Sequence, residues 1–219
     1  MTSSTRRAFL AAVAATAAAG PAFAAADKTV PCDKVFPFLE NYLKIPAAER
    51  NRFTVAYYLM VDGKAPKGLQ GWLGTGATRT AVPIGADGKV QRLPTLAQLK
   101  AKTPLTFDGM EAAKFSINMV VEPLMRPAVE IKAAELSLAV AQAAKGAKKA
   151  AGLMAVAVPK LDRVLFKGVS AGTVVHADGK TTPMTVVKGS PVFDPEKQKT
   201  AATLRFARAP SQMLIGSTK

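Results

Sequence analysis

Apolar and polar positions change period twice along this chain. From Ile131 to Leu161 the sequence IKAAELSLAVAQAAKGAKKAAGLMAVAVPKL repeats apolar residues at alternating spacings of four and three. Leu136, Val140, Ala143, Ala147, Ala150 and Met154 then share one stripe of a helix, with Glu135, Gln142, Lys145 and Lys149 on the other side. On both flanks the period falls to two, the spacing of strands. Phe53–Val61 (FTVAYYLMV) is the strongest of these segments. Both of its faces are mostly apolar, which predicts a strand in the middle of a sheet. Leu69–Leu73, Arg79–Ile84 and Lys89–Leu93 read as further strands, and Phe115–Val121 as a strand with one buried face. Beyond the helix, Arg163–Lys167, Thr173–His176, Pro183–Val187 and Met213–Ile215 follow, with alternation also at Leu204 and Phe206.

Turn and cap residues punctuate this pattern. Asp62-Gly63, Asp87-Gly88 and Asp178-Gly179 are hairpin dipeptides. Thr95 and Gln98 make a capping box for a short helix through Lys100. Asp33–Lys44 predicts a short amphipathic helix with a Glu40–Lys44 pair, and Pro46–Arg50 a further helical turn. Hairpins rather than regularly alternating helices join the strands, which argues against a parallel sheet. The expected class is α+β: antiparallel β-sheet segments packed around a long central Ala-rich helix. One domain over 25–219 is expected, with two helix-plus-sheet halves, 25–128 and 129–219, as the alternative.

Residues 1–24 have the three-part layout of a signal peptide. Ser4-Thr5-Arg6-Arg7-Ala8-Phe9-Leu10 resembles a twin-arginine export motif. An apolar run from Ala11 to Ala19 follows, and Ala22-Phe23-Ala24 offers small residues for cleavage after Ala24. Ala11 stands where the twin-arginine motif usually has a basic residue, so an ordinary secretory leader stays open. Either route implies the periplasm or the exterior.

Composition changes this picture in two respects. Hydrophobic content of 49% with 21% charged residues fits a folded chain, and 6% aromatics leave the core to Ala, Val, Leu and Met. The 30 Lys and Arg outnumber the 15 Asp and Glu. Without Arg6 and Arg7 the mature charge is 28 − 15 = +13. Such a field favours anionic partners. In the periplasm these are anionic lipid or lipopolysaccharide surfaces, and nucleic acid is not expected there. Lys145, Lys148 and Lys149 form the densest basic cluster and the candidate anion-binding patch. The bland alternative is a solubilising surface. Cys32 is the single cysteine, so no intramolecular disulfide forms, and a buried thiol is expected.

The segments FLENYLKIPAAERNRF and RFTVAYYLMVDGK resemble small exported proteins of Gram-negative bacteria of no assigned function. The resemblance spans much of the mature chain. It implies export and transfers no site residue and no activity.

Candidate chemistry is sparse. Gly168-Val169-Ser170-Ala171-Gly172 matches the G-x-S-x-G pattern, but that chemistry needs a helix after the serine, and a strand is expected here. His176 is the only histidine, too little with one cysteine to build a zinc or copper site. Gly71–Gly76 matches no phosphate-loop pattern. No catalytic, metal-ligating or cofactor-binding residue is therefore assigned, and no cofactor is expected. Tyr57, Tyr58 and Trp72 are the candidate lining of an apolar ligand pocket, against the alternative of core packing. Three functions follow in order. The first is a non-enzymatic binding or scaffolding protein for anionic envelope components. The second is a small-ligand binding protein, and the third a hydrolase using Ser170 or paired carboxylates.

Overall fold

A computed structural model describes residues 26–110, 112–151 and 160–217. The expected leader and Met154 lie outside the described residues. The chain opens with strand β1 (Lys28–Pro31), helix α1 (Cys32–Val35) and helix α2 (Leu39–Lys44). A single 3-10 turn, Ala47–Glu49, leads to β2 (Phe53–Val61). Then come β3 (Gln70–Leu73), β4 (Thr80–Pro83), α3 (Leu96–Lys100), β5 (Pro104–Phe107), β6 (Phe115–Pro123) and β7 (Glu130–Lys132). Helix α4 (Ala133–Ala151) is followed by β8 (Arg163–Lys167), β9 (Thr173–His176), β10 (Thr181–Pro183), β11 (Thr185–Val187), β12 (Ser190–Phe193), β13 (Ala201–Arg205) and β14 (Gln212–Gly216).

These strands form three sheets, in the orders β1-β5-β3-β4, β10-β9-β13-β7 and β11-β12-β8-β14-β6-β2. Every strand pair among the described residues is antiparallel. The class is α+β with most of the ordered backbone in strands. Helix α4 packs on β2, β6 and β8 of the six-stranded sheet, on β7 and β13 of a four-stranded sheet, and on α2. Buried side chains from Cys32 to Ile215 form one contiguous core cluster.

Local chemistry explains several elements. The α3 capping box is present: Thr95 Oγ1 accepts from the Gln98 amide at 3.2 Å, and Gln98 Oε1 accepts from the Thr95 amide at 2.9 Å. Asp62 and Gly63, with φ of 49° and 76°, make the left-handed turn that Asp-Gly favours. Lys44 pairs with Glu40 at 2.7 Å. Cys32 is fully buried, and burial pushes its thiol pKa up.

The structure corrects other expectations. β2 is the last strand of its sheet, not a central one. Its apolar faces have another cause. One face lies under the helical region, where Phe36 meets Tyr57 edge-on at 5.2 Å. The free edge is partly closed by a loop, since Leu59 donates to Gly88 and Val90 donates to Tyr57, both at 2.8 Å. Gly88 is required there, because a Cβ would lie 2.4 Å from the Leu59 carbonyl oxygen. Lys89 and Val90 therefore form isolated bridges rather than a strand of Lys89–Leu93.

Helix α4 starts at Ala133, because Ile131 and Lys132 pair with Leu204 and Thr203 of β13. The expected helix over Asp33–Lys44 is two helices, broken where Phe38 adopts a left-handed φ of 63°. Pro183–Val187 divides between two sheets at Met184, whose amide donates to Gly172 at 2.8 Å.

Candidate functional site

Helix α4 is built from small residues along its C-terminal half, and this leaves space. A cavity of about 580 Å³ lies between α2, that half of α4 and one end of the six-stranded sheet. Ala143, Gly146, Ala147 and Ala150 form its α4 wall. Tyr42 and Ile45 come from the α2 region, and Phe53, Val55, Leu165 and Ile215 from the sheet. The size is that of a small-molecule site, and the lining is predominantly apolar.

Two exposed apolar side chains mark its rim. Phe38 is 60% exposed and Met119 is 37% exposed, and both line the cavity. A bulky residue at φ of 63° is a steric outlier that costs about 1–2 kcal/mol. The neighbouring backbone holds it there. Tyr57 Oη donates to the Pro37 carbonyl at 2.6 Å, and the Tyr42 amide donates to the Phe38 carbonyl at 2.9 Å. Strain of this kind concentrates where a site needs a side chain placed against its backbone preference.

Among the described residues, the cavity lining contains one charged residue, Lys167, and no Asp or Glu. Lys167 Nζ donates to Ser190 Oγ at 3.3 Å, and no described carboxylate pairs with it. Asn41 and Ser217 add polar groups to the wall.

Tyr57, Tyr58 and Trp72 are not brought together around this cavity. Tyr57 is fully buried in the core, and burial raises its pKa. Tyr58, the next residue of β2, points to the opposite face. Its hydroxyl donates to Glu122 Oε1 at 2.8 Å. Trp72 lies on another sheet, where its Nε1 donates to Asp108 at 2.7 Å and Arg79 sits 4.5 Å over its ring. All three use their polar handles structurally. The cavity escaped sequence reasoning because its wall is made of ordinary core residues from distant segments. The available clue was Gly146, a helix-weakening residue inside the Ala-rich stretch.

The three lysines of the basic cluster are exposed. Lys149 is paired with Glu49 of the 3-10 turn, and Lys145 also lies close enough to help hold the Glu49 carboxyl below its ordinary pKa. The local positive potential is diluted accordingly.

A polar network stands on the face of the six-stranded sheet away from α4, the face that also carries Lys167 opposite Gln212. Glu122 is only 9% exposed. It accepts from Lys89 at 2.6 Å, from Gln212 at 2.7 Å and from Tyr58. Burial works to raise its pKa, but the hydrogen bonds from Lys89, Gln212 and Tyr58 outweigh it and hold the carboxyl below its ordinary value. The Tyr58 hydroxyl is pushed up by burial and by Glu122. The network ties the loop after β4 to β2, β6 and β14.

Ser170 sits in a bend between β8 and β9, with a strand after it rather than a helix. The His176 ring nitrogens bond Thr200 at 2.9 Å and Thr182 at 2.8 Å. Among the described residues, no group of three His, Cys, Asp or Glu could hold a metal ion, and no helix is long and apolar enough to cross a membrane. Compared with protein-family models, with curated proteins and with solved structures, the chain finds no match.

Proposed function

We propose that this chain is an exported binding protein that takes an apolar small molecule into the α2–α4 cavity. The observation that carries the reading is the cavity itself. It is a half-open, predominantly apolar cleft of small-molecule size, and an exposed Phe38 with a left-handed backbone stands at its rim. The left-handed backbone that separates α1 from α2 here carries an exposed aromatic ring rather than a small or polar side chain. Export rests on the twin arginines Arg6 and Arg7, the apolar run and Ala22-Phe23-Ala24. Attachment to anionic envelope surfaces through Lys145, Lys148 and Lys149 has less support, because Glu49 competes for that patch.

A neutral apolar fluorophore such as N-phenyl-1-naphthylamine tests the reading. It is expected to brighten on binding wild type and to raise the melting temperature with concentration. Ala147→Trp, which fills the cavity from its α4 wall, is expected to abolish both effects while the circular dichroism stays native. A probe that neither brightens nor stabilises the wild type would sink the proposal.

A further inference from the structure

We infer that the cleft takes a short, extended apolar peptide with a free C-terminus, paired as a strand along the open edge of β6. This rests on the cavity-binding reading above and specifies its ligand. The observation is a wedge in the six-stranded sheet. β14 stays paired with β8 from Gln212 to Gly216, and the Asp162 amide still reaches the Gly216 carbonyl at 3.4 Å. With β6 it shares the pair Ile215 and Val121 alone. β6 itself continues beside β2 as far as Phe115. The cleft lies where the two strands part. Val121 and Ile215 line it on the face towards α4, and Val120 and Leu214 line it on the opposite face. A cleft lined from both faces of a sheet marks a missing strand.

Main-chain groups of β6 face that gap. Successive residues of a strand turn their amides and carbonyls to opposite sides. Leu59 donates to Gly88 and Tyr57 accepts from Val90, so these residues of β2 bond away from β6. Their neighbours Ala56 and Tyr58 bond towards it, opposite Val120 and Asn118. Ile117 and Met119 therefore aim both main-chain groups into the wedge, as Val121 does towards Ile215. Among the described residues, nothing bonds these four groups. Such an edge is a template for another strand.

The wedge also sets the pattern of the ligand. A strand added there runs antiparallel to β6, as β14 does. Its residues opposite Met119 and Ile117 bond the edge and point to the α4 face, where Phe38, Ala147 and Ala150 line the cleft. Apolar side chains are therefore expected at alternate positions. The C-terminus of that strand lies towards the start of β6. Lys114 precedes that start, and Lys160 stands just before Asp162 on the other side of the wedge; both are exposed and neither is in an ion pair among the described residues. The acids beside them are engaged: Asp162 by Arg163, and Asp62 by the Lys114 amide. A terminal carboxylate meets a net positive end.

The test is calorimetry of the full chain with an acetylated pentapeptide that alternates leucine and threonine, beginning and ending with leucine. It is expected to bind and to displace N-phenyl-1-naphthylamine. N-methylation of the first and third residues removes the donors that face β6 and is expected to weaken binding about tenfold, as two lost hydrogen bonds imply. N-methylation of the second and fourth residues should leave affinity within about twofold, since those donors face away from β6. A C-terminal amide is expected to bind about threefold weaker than the acid. Ile117→Pro deletes one edge donor on the side away from β2 and should weaken the peptide about fivefold. Met119→Lys, which blunts the edge, replaces it if the proline variant does not fold. Equal binding of the two methylated peptides would overturn pairing at the edge. Equal binding of acid and amide would overturn the free C-terminus. Peptide binding that leaves the probe in place would overturn the side-chain placement. A bound probe with no peptide binding would overturn the inference and leave the cavity reading standing. Failure of the probe itself to bind would remove the cavity reading and the inference that rests on it.

Discussion

A Cβ built on Gly146 would lie 2.7 Å from Cζ of Phe53. The glycine therefore lets a helix and a strand approach closely beside the cavity. The Phe53 ring has little room to retreat. It is nearly fully buried, and Tyr42 meets it edge-on at 5.7 Å. Tyr42 is fixed in turn by its hydroxyl, which donates to the Phe53 carbonyl at 3.2 Å. Gly146→Ala gains about 1 kcal/mol of helix propensity. Overpacking costs about 1–3 kcal/mol. The clash is expected to win, with a net loss of about 1 kcal/mol in urea unfolding. A more stable variant would show that the ring can move aside.

Glu122 gives a pH signature. Its folded-state pKa is lowered, so its contribution is complete above the unfolded carboxylate value and is lost as pH falls through the folded value. Glu122→Gln is expected to lower stability by about 1–3 kcal/mol at pH 7, since hydrogen bonds to a charged group are removed. The gap between wild type and variant should narrow as pH drops below about 4.5, the ordinary value for a glutamate. Urea midpoints from pH 7 to pH 3 read this directly. A gap independent of pH would mean that Glu122 acts by shape alone.

Residues on α4 separate core from cavity. Ala143 is fully buried, whereas Ala147 is half-buried on the cavity wall. Ala143→Asp is expected to cost several kcal/mol, as an unpaired buried carboxylate does. Ala147→Asp, with space in front of it, should cost clearly less. Thermal melts of the two variants compare them. Equal losses would mean that the cavity is closed to water.

How much of this was readable beforehand follows from what each signal reports. Local chemistry was legible: the Thr95–Gln98 box, the Asp62-Gly63 turn and the Phe53–Val61 strand stand where the residues place them. Strand neighbours were not. Two apolar faces on β2 say that both are covered, and a helix can cover a face as well as a neighbouring sheet can. The apolar spacing of α4 predicts a single row through Ala147. The fold instead buries Ala139 and Gly146 beside Leu136 and Ala143, and turns Ala147 towards empty space. Alanine spacing gives the helix face to within a residue, and the void depends on partners some hundred residues away. Short strands such as β7 and β12 carry too few residues to show a period.

The basic cluster predicts a weak, salt-sensitive attraction. Binding to anionic vesicles is expected at low ionic strength and should vanish near 0.15 M salt, where screening acts within about 8 Å. Because Glu49 already engages Lys149, the Lys145, Lys148 and Lys149 triple change to Gln should alter little. Cosedimentation across a salt series checks both statements. Binding that survives at 0.15 M in wild type and falls in the variant would restore the patch as an attachment site.

Phe38 separates stability from function most sharply. Its left-handed backbone is unfavourable for a bulky side chain, and its ring is 60% exposed, so the ring returns little by burial. Asparagine tolerates this conformation far better and adds no glycine-like flexibility to the unfolded chain. Phe38→Asn is therefore expected to raise stability by about 0.5–1 kcal/mol, a fraction of the 1–2 kcal/mol that a left-handed residue costs. The same change removes an aromatic wall from the cavity rim, so affinity for an apolar probe should fall severalfold. Urea midpoints and probe titrations on one preparation give both numbers. A stabilised variant with weakened binding is the pattern of a residue retained for its site against its backbone. A destabilised variant would make Phe38 a packing residue, and unchanged binding would move the ligand away from that rim.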